Sequence, residues 1–319
     1  MHGDYGAGRS AGRPPGRGRV PTIAVVATLA IDIGGTKLAA GVVDDAGALS
    51  HRMQRPTAAT RDGEALLADL FDLVAEVQAG AAHDGVAVDA CGVGCGGPMT
   101  EGGAEVSPLN IPAWRDFPLR AFLADHLGLP VAVDNDAKAL ALGEGWCGAA
   151  AGERDFLAMV VSTGVGGGIV SRGRLLEGAS GNAGHIGHVF VADGTADWPR
   201  HPAGLLESEA SGTAIAVRTG AEAADAGTAV RERTGTLVGR AVASVANLLD
   251  LRLAVVAGSV AFGYGEPFFA AAQAEVDRLC HLDFSVGTRV VPAGLGDVGP
   301  LVGAAAVSLR ARGVDIGIA

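Results

Sequence analysis

The chain has 319 residues, of which 49% are apolar and 50 are glycine, and it carries a net charge of −11. That acidity excludes broad binding to nucleic acid or to an anionic membrane surface. With a mean hydropathy of +0.32, no uninterrupted apolar stretch approaches the roughly 18 residues of a membrane span, and the length suits two lobes with separate cores.

Residues 1–21 are dominated by Gly, Arg and Pro, bury almost nothing, and are expected to form a disordered leader. They lack the apolar core of a signal peptide. An apolar run from Ala24 to Ile31 then delivers Asp32-Ile-Gly-Gly-Thr36, followed by Lys37 and a second run, Leu38 to Val43. The pattern reads as strand, tight turn, strand. Gly34 and Gly35 let backbone N–H groups approach a phosphate closely, and Thr36 adds a hydroxyl donor. Asp32, at the strand end, can hold hydrated magnesium beside it. A turn between two strands is neither a Walker loop nor a dinucleotide fingerprint, both of which open a helix, so a nicotinamide oxidoreductase does not fit. Taken alone, the stretch also suits a hairpin without a ligand.

Helical spacing follows from Gly63 to Ala82, then a buried strand from Ala90 to Gly94 that ends in Gly94-Cys-Gly-Gly-Pro98. A second helix, Leu119 to Leu127, leads into strand Val131 to Val133 and the cluster Asp134-Asn-Asp136-Ala. Open α/β sheets place ligands at such carboxyl ends of strands. For Asp136 the competing reading is an N-cap of a helix from Ala137 to Gly143.

Near residue 140 the opening theme returns. Strand Phe156 to Val161 runs into Ser162-Thr-Gly-Val-Gly-Gly-Gly168, then strand Ile169 to Ser171 and the turn Arg172-Gly-Arg174. Helix Thr234 to Leu249, strand Leu253 to Val256 with Ala257-Gly-Ser259, and a final helix Val302 to Arg312 complete the pattern. The expectation is an α/β chain of two lobes around one cleft, with a phosphate-binding hairpin in each. The four cysteines, Cys91, Cys95, Cys147 and Cys280, form no C-x-x-C pair, so free thiols in a reducing cytoplasm are expected.

In order, Asp32 to Lys37, Asn110-Ile-Pro-Ala-Trp114, Asp134-Asn-Asp136-Ala, Ser162 to Gly168, Gly184-His-Ile-Gly-His188, Glu207 and Ala257-Gly-Ser259 resemble the ROK family. The likeness runs from about residue 28 to 310. This family of sugar kinases and sugar-responsive repressors has the actin-like ATPase (ribonuclease H-like) fold. The resemblance implies a small N-terminal lobe of residues 22–138 plus about 301–319, and a large lobe of 139–300. Repressors carry a winged helix–turn–helix first; only 31 residues precede Asp32 here, so the kinase branch is expected.

The resemblance further implies ATP and Mg²⁺ as cofactors, with Asp32 holding magnesium through ATP and water. Asp136 would be the base toward the sugar hydroxyl, and Asn110, Asn135, His185, His188 and Glu207 would line the sugar site. Phosphates would meet Asp32, Gly34, Gly35, Thr36 and Lys37 on one side and Thr163, Gly164 and Gly166 on the other, with Gly258 and Ser259 under the adenosine. Ser162 stands where the family usually has glycine, and Glu209 reads as a solvated helix residue. Many members hold a structural zinc with the His188 equivalent and three cysteines. Trp198, Arg200 and Leu205 occupy those cysteine positions here, so zinc is not expected, and packing by Trp198 and Leu205 is expected in its place.

Glucokinase-like members usually have glutamate at position 185. Neutral imidazole offers one donor and one acceptor where a carboxylate only accepts, which suits an N-acetyl carbonyl. The expected activity is ATP-dependent phosphorylation of a hexose or N-acetylhexosamine at the 6-hydroxyl; the alternative is a non-catalytic sugar-binding regulator. A homo-oligomer, dimer or tetramer, is implied by resemblance, with no nucleic-acid or membrane partner.

Overall fold

A computed structural model describes residues 26–57, 62–193 and 202–319; the leader, Trp198, Arg200 and His201 lie outside the described residues. The first sheet is built from β1 (Val26–Ile33), β2 (Lys37–Val43), β3 (Leu49–Pro56), β4 (Ala87–Cys95) and β5 (Val131–Asn135). Its order is β3-β2-β1-β4-β5, antiparallel from β3 to β1 and parallel from β1 to β5. The second sheet comprises β6 (Phe156–Val161), β7 (Val165–Ser171), β8 (Arg174–Leu175), β9 (Leu253–Ala257) and β10 (Arg289–Pro292). Read from its β8 edge it has the same order and the same mix of directions. The repeated sheet is the duplicated plan of the actin-like ATPase fold, and it puts the 34–36 and 162–164 turns at equivalent places.

Nine helices appear among the described residues: α1 (Gly63–His83), α2 (Leu119–Leu127), α3 (Asp136–Cys147), α4 (Leu206–Ala210), α5 (Gly212–Thr219), α6 (Thr228–Leu249), α7 (Ser259–Tyr264), α8 (Glu266–Leu279) and α9 (Gly299–Ala311). None is long and apolar enough to cross a membrane. In α1, Leu66, Leu70, Leu73, Val74 and Val77 face the first sheet, and Asp62 caps its start by accepting from the Glu64 N–H at 3.0 Å. The core beneath the second sheet is formed by Leu237, Val238, Ala241 and Val242 of α6 with Phe268, Ala272 and Val276 of α8.

Helices α3 and α9 fill the space between the sheets, sharing a core with Phe156, Ala158, Val255, Ile316 and Ile318. They cross at glycine: a Cβ on Gly303 would stand 2.4 Å from the Ala139 carbonyl oxygen. Only glycine permits so close a crossing. The last residues return to the second sheet, where the Ala319 N–H donates to Gly173 O at 2.8 Å. All four cysteines are free, three buried and Cys147 exposed.

The structure corrects two readings of the sequence. Gly166, Gly167 and Gly168 lie inside β7, not in a turn. Gly166 and Gly168 are small because α3 crosses directly over them: a Cβ on Gly168 would meet Ala141 Cβ at 2.8 Å, and one on Gly166 would meet Ala137 Cβ at 3.0 Å, while Gly167 faces the other way, toward Ile186 at 3.0 Å. Glu209 is not a solvated residue. Its carboxylate, 14% exposed, binds Arg233 of α6 at 2.6 Å and lies 3.8 Å from Arg218 of α5. Strands β3 and β10 and helices α5 and α8 were not anticipated at all, and α4 only through Glu209.

Candidate active site

Both glycine turns open onto one cavity of about 480 Å³ between the sheets. Its first wall is the β1–β2 turn, where Gly34 N–H donates to Lys37 O at 2.9 Å. Thr57 braces that turn from behind, its hydroxyl donating to Gly34 O at 2.7 Å and its N–H to Thr36 O at 2.9 Å. The facing wall is the β6–β7 turn, closed by Ser162 N–H to Gly164 O at 2.9 Å. Thr213 braces it with a hydroxyl to Thr163 O at 2.9 Å. Ser162 Oγ lies 3.0 Å from Ser259 Oγ, so the serine at the usual glycine position ties this turn to the start of α7. Asp32, Gly34, Gly35, Thr36, Lys37, Thr163, Gly164, Gly166, Gly258 and Ser259 all line the cavity.

Asp136 opens α3 at the end of β5, and it too lines the cavity. The helix N-cap is Asn135, not Asp136: its Oδ1 accepts from Ala137 N–H at 3.0 Å and Lys138 N–H at 3.4 Å. The cap uses the Asn135 carbonyl and leaves its amide facing Gly97, whose Cβ position lies 3.2 Å from Nδ2. Burial raises the Asp136 carboxyl above its ordinary pKa, against the opposing pull of its bond from Ala137 N–H. Asp32 is pushed up to about 7 by burial first and then by the Asp136 charge, with Lys37 opposing.

Asn110, Asn135, His185 and Glu207 line the same cavity. Asn110 is placed by its own motif: Trp114, fully buried, donates Nε1–H to Gly63 O at 3.1 Å and stacks on Phe117. Arg115 bonds the Pro108 and Ile111 carbonyls at 2.9 and 3.0 Å. Glu207 stands in the first turn of α4, its Oε1 3.0 Å from the Cβ position of Gly164. Burial raises its pKa, with the His188 charge opposing and the Asp136 charge adding. His188 is not among the lining residues; its ring lies edge-on to His185, 6.0 Å between centroids. Burial, then the neighbouring His188, lowers the pKa of His185, which favours a neutral ring.

Three residues of this region carry no motif and were missed in the sequence. Asn182 lines the cavity and is held by Met99, donating to Met99 O at 2.9 Å and accepting from Met99 N–H at 3.1 Å. Lys138 and Glu177 form an ion pair behind it. Their partners are 83 and 39 positions away in the chain, so no local pattern could have exposed them.

A magnesium ion suits the charge of this lining. Asp32, Asp136 and Glu207 face Lys37, while Lys138 is committed to Asp134 and Glu177. A bare triphosphate would be repelled there, and a divalent cation arriving with it relieves the repulsion. Among the described residues no cluster of three or more His, Cys, Asp or Glu could hold a metal alone.

The ROK family model matches residues 28–311. The chain belongs to the ROK family. Among curated relatives it is 39% identical to the N-acetylmannosamine kinase of Citrobacter koseri over 262 residues, 75% of this chain and 86% of that one. It is 38% identical to the glucokinase of Halalkalibacterium halodurans over 190 residues, 58% of this chain and 57% of that one. Among solved structures, the ROK glucokinase of Streptomyces griseus in complex with glucose and AMPPNP superposes with a TM-score of 0.76. It is 28% identical, and the match covers 89% of this chain and 99% of that one.

Proposed function

We propose that this chain is an ATP-dependent sugar kinase that transfers the γ-phosphoryl group to the 6-hydroxyl of an N-acetylhexosamine, N-acetylmannosamine foremost. The observation that carries the choice of sugar is His185 at the mouth of the cavity. As a neutral imidazole it can donate to an acetamido carbonyl, which a carboxylate at the same place could not. The similarity to the curated N-acetylmannosamine kinase points the same way.

In this reading Asp136 accepts the proton of the sugar hydroxyl as that oxygen attacks phosphorus, and burial keeps the carboxylate basic enough to do so. Asn110, Asn135, His185 and Glu207 orient the sugar, while His188, which does not line the cavity, packs edge-on against His185. The two turns donate backbone N–H groups to the phosphates from opposite sides, with Thr36, Lys37 and Thr163 adding side-chain donors. Gly258 and Ser259 support the nucleoside. Magnesium, held through Asp32, supplies neutralisation of charge on the phosphate oxygens. Closure of the cleft would keep water from competing with the sugar hydroxyl.

The test is ADP release with N-acetylmannosamine, N-acetylglucosamine, mannose, glucose and fructose. The highest kcat/KM is expected on an N-acetylhexosamine; a strong glucose preference would overturn the acetamido reading. A second expectation concerns Gly35, where a Cβ would lie 2.5 Å from Asn110 Cβ. Gly35→Ala must push the phosphate turn away from the sugar wall. It should cut kcat/KM by roughly 10- to 100-fold, since displacements of about 1 Å have such effects. The melting temperature should change little, because the turn borders open cavity. An unchanged kcat/KM would show that the two walls need not touch.

A further inference from the structure

Residues 177–184, the segment that leads into His185, are tied to α3. Lys138, in the first turn of α3 and two residues beyond Asp136, is 2% exposed. Its ammonium donates to a Glu177 carboxylate oxygen and to Gly181 O at 3.2 Å, and lies 3.0 Å from Asp134 Oδ1. An ammonium has three donors, and here each meets an acceptor. Arg310 of α9 holds the other Glu177 oxygen at 2.8 Å. Burial alone would raise the Glu177 carboxyl, but Lys138 and Arg310 outweigh it and hold it below the usual range. The ammonium therefore faces an ionised partner.

An ion pair with one partner buried and the other part-exposed adds little net stability. What it does impose is geometry. One end is fixed to the helix that presents Asp136, and the other to the backbone just ahead of His185. The phosphate turns are braced by other groups, Thr57 for one and Thr213 and Ser259 for the other.

We propose that Lys138 and Glu177 form a positioning clamp that sets the distance between His185 and Asp136, and so governs sugar binding while leaving nucleotide binding alone. This rests on the sugar-kinase reading of the cavity. Neither residue touches the reacting atoms; both act through the segment they hold.

Glu177→Gln tests it. The glutamine keeps the shape and one acceptor oxygen but removes the charge that locks the ammonium, and the side chain is 42% exposed, so the variant should fold. The KM for the sugar that the wild type prefers should rise about tenfold, with the KM for ATP within about twofold. Lys138→Met, which also leaves Asp134 without its cation, should show the same split with a larger rise in sugar KM; Lys138→Met/Glu177→Met, which removes both charges, should not restore it. Equal shifts in both KM values, or none, in a folded Glu177→Gln protein would overturn the clamp while leaving the kinase reading intact. A wild-type protein that phosphorylates no sugar of the panel would overturn the kinase reading and the clamp with it.

Discussion

Asp136→Asn should leave a folded protein that still binds sugar but turns it over at least about 10³-fold more slowly, in line with the loss of a positioned general base. Asparagine retains the shape and a carbonyl acceptor for Ala137 N–H, now 2.8 Å from Asp136 Oδ1; it has no basic lone pair to take the proton. The pH profile supplies a second signature. Burial raises the Asp136 carboxyl, so the deprotonated form that accepts the proton is lost as pH falls through a value above the ordinary carboxylate range. Asp32, pushed up to about 7 and raised in part by Asp136, titrates in the same space, and the acid limb of kcat/KM belongs to the two together. Steady-state assays from pH 5 to 9, with sugar binding by calorimetry, read both effects. Near-normal turnover in the asparagine protein would remove Asp136 as the base. A wild type that binds sugar without turnover would favour the regulator.

Glu144→Ala should lower the melting temperature by roughly 10 °C or more. Glu144 closes α3 and is fully buried. Its two carboxylate oxygens accept three backbone N–H groups: Ala149 at 2.7 Å, Gly294 at 2.9 Å and Leu295 at 3.0 Å. Alanine leaves all three donors without an acceptor, and each such loss costs about 1–3 kcal/mol. In a chain of this size each kcal/mol moves the midpoint by roughly 2–4 °C. Glu144→Gln keeps one oxygen but turns an NH₂ toward donors, and should fall between. Differential scanning calorimetry decides; an alanine variant within about 2 °C of the wild type would show that the three amides find other partners.

The parts of this fold that could be read from sequence were the local ones. Strands β1, β2 and β6 are predominantly apolar runs next to glycine turns, and α1 and α2 have clear spacing and boundaries. Strand β3 escaped because, as an exposed edge with Arg52, Gln54 and Arg55, it carries no apolar run. Gly166 to Gly168 misled because a glycine run signals a turn and a close helix crossing equally well. The cavity lining was legible through its motifs, with Asp32, Asp136 and Glu207 drawn from three distant stretches. The braces behind that lining were not. Thr57, Thr213, Asn182, Lys138 and Glu177 are ordinary residue types whose meaning lies wholly in partners brought near by folding.

Asp136 and Glu144 stand at opposite ends of α3, about 12 Å apart along its axis. The helix therefore behaves as a lever: one tip reaches the chemistry, and the other is bolted to the chain that leads into α9. Loosening the bolt would swing the tip, so damage at a point remote from any ligand should be felt as poor catalysis as well as lost stability.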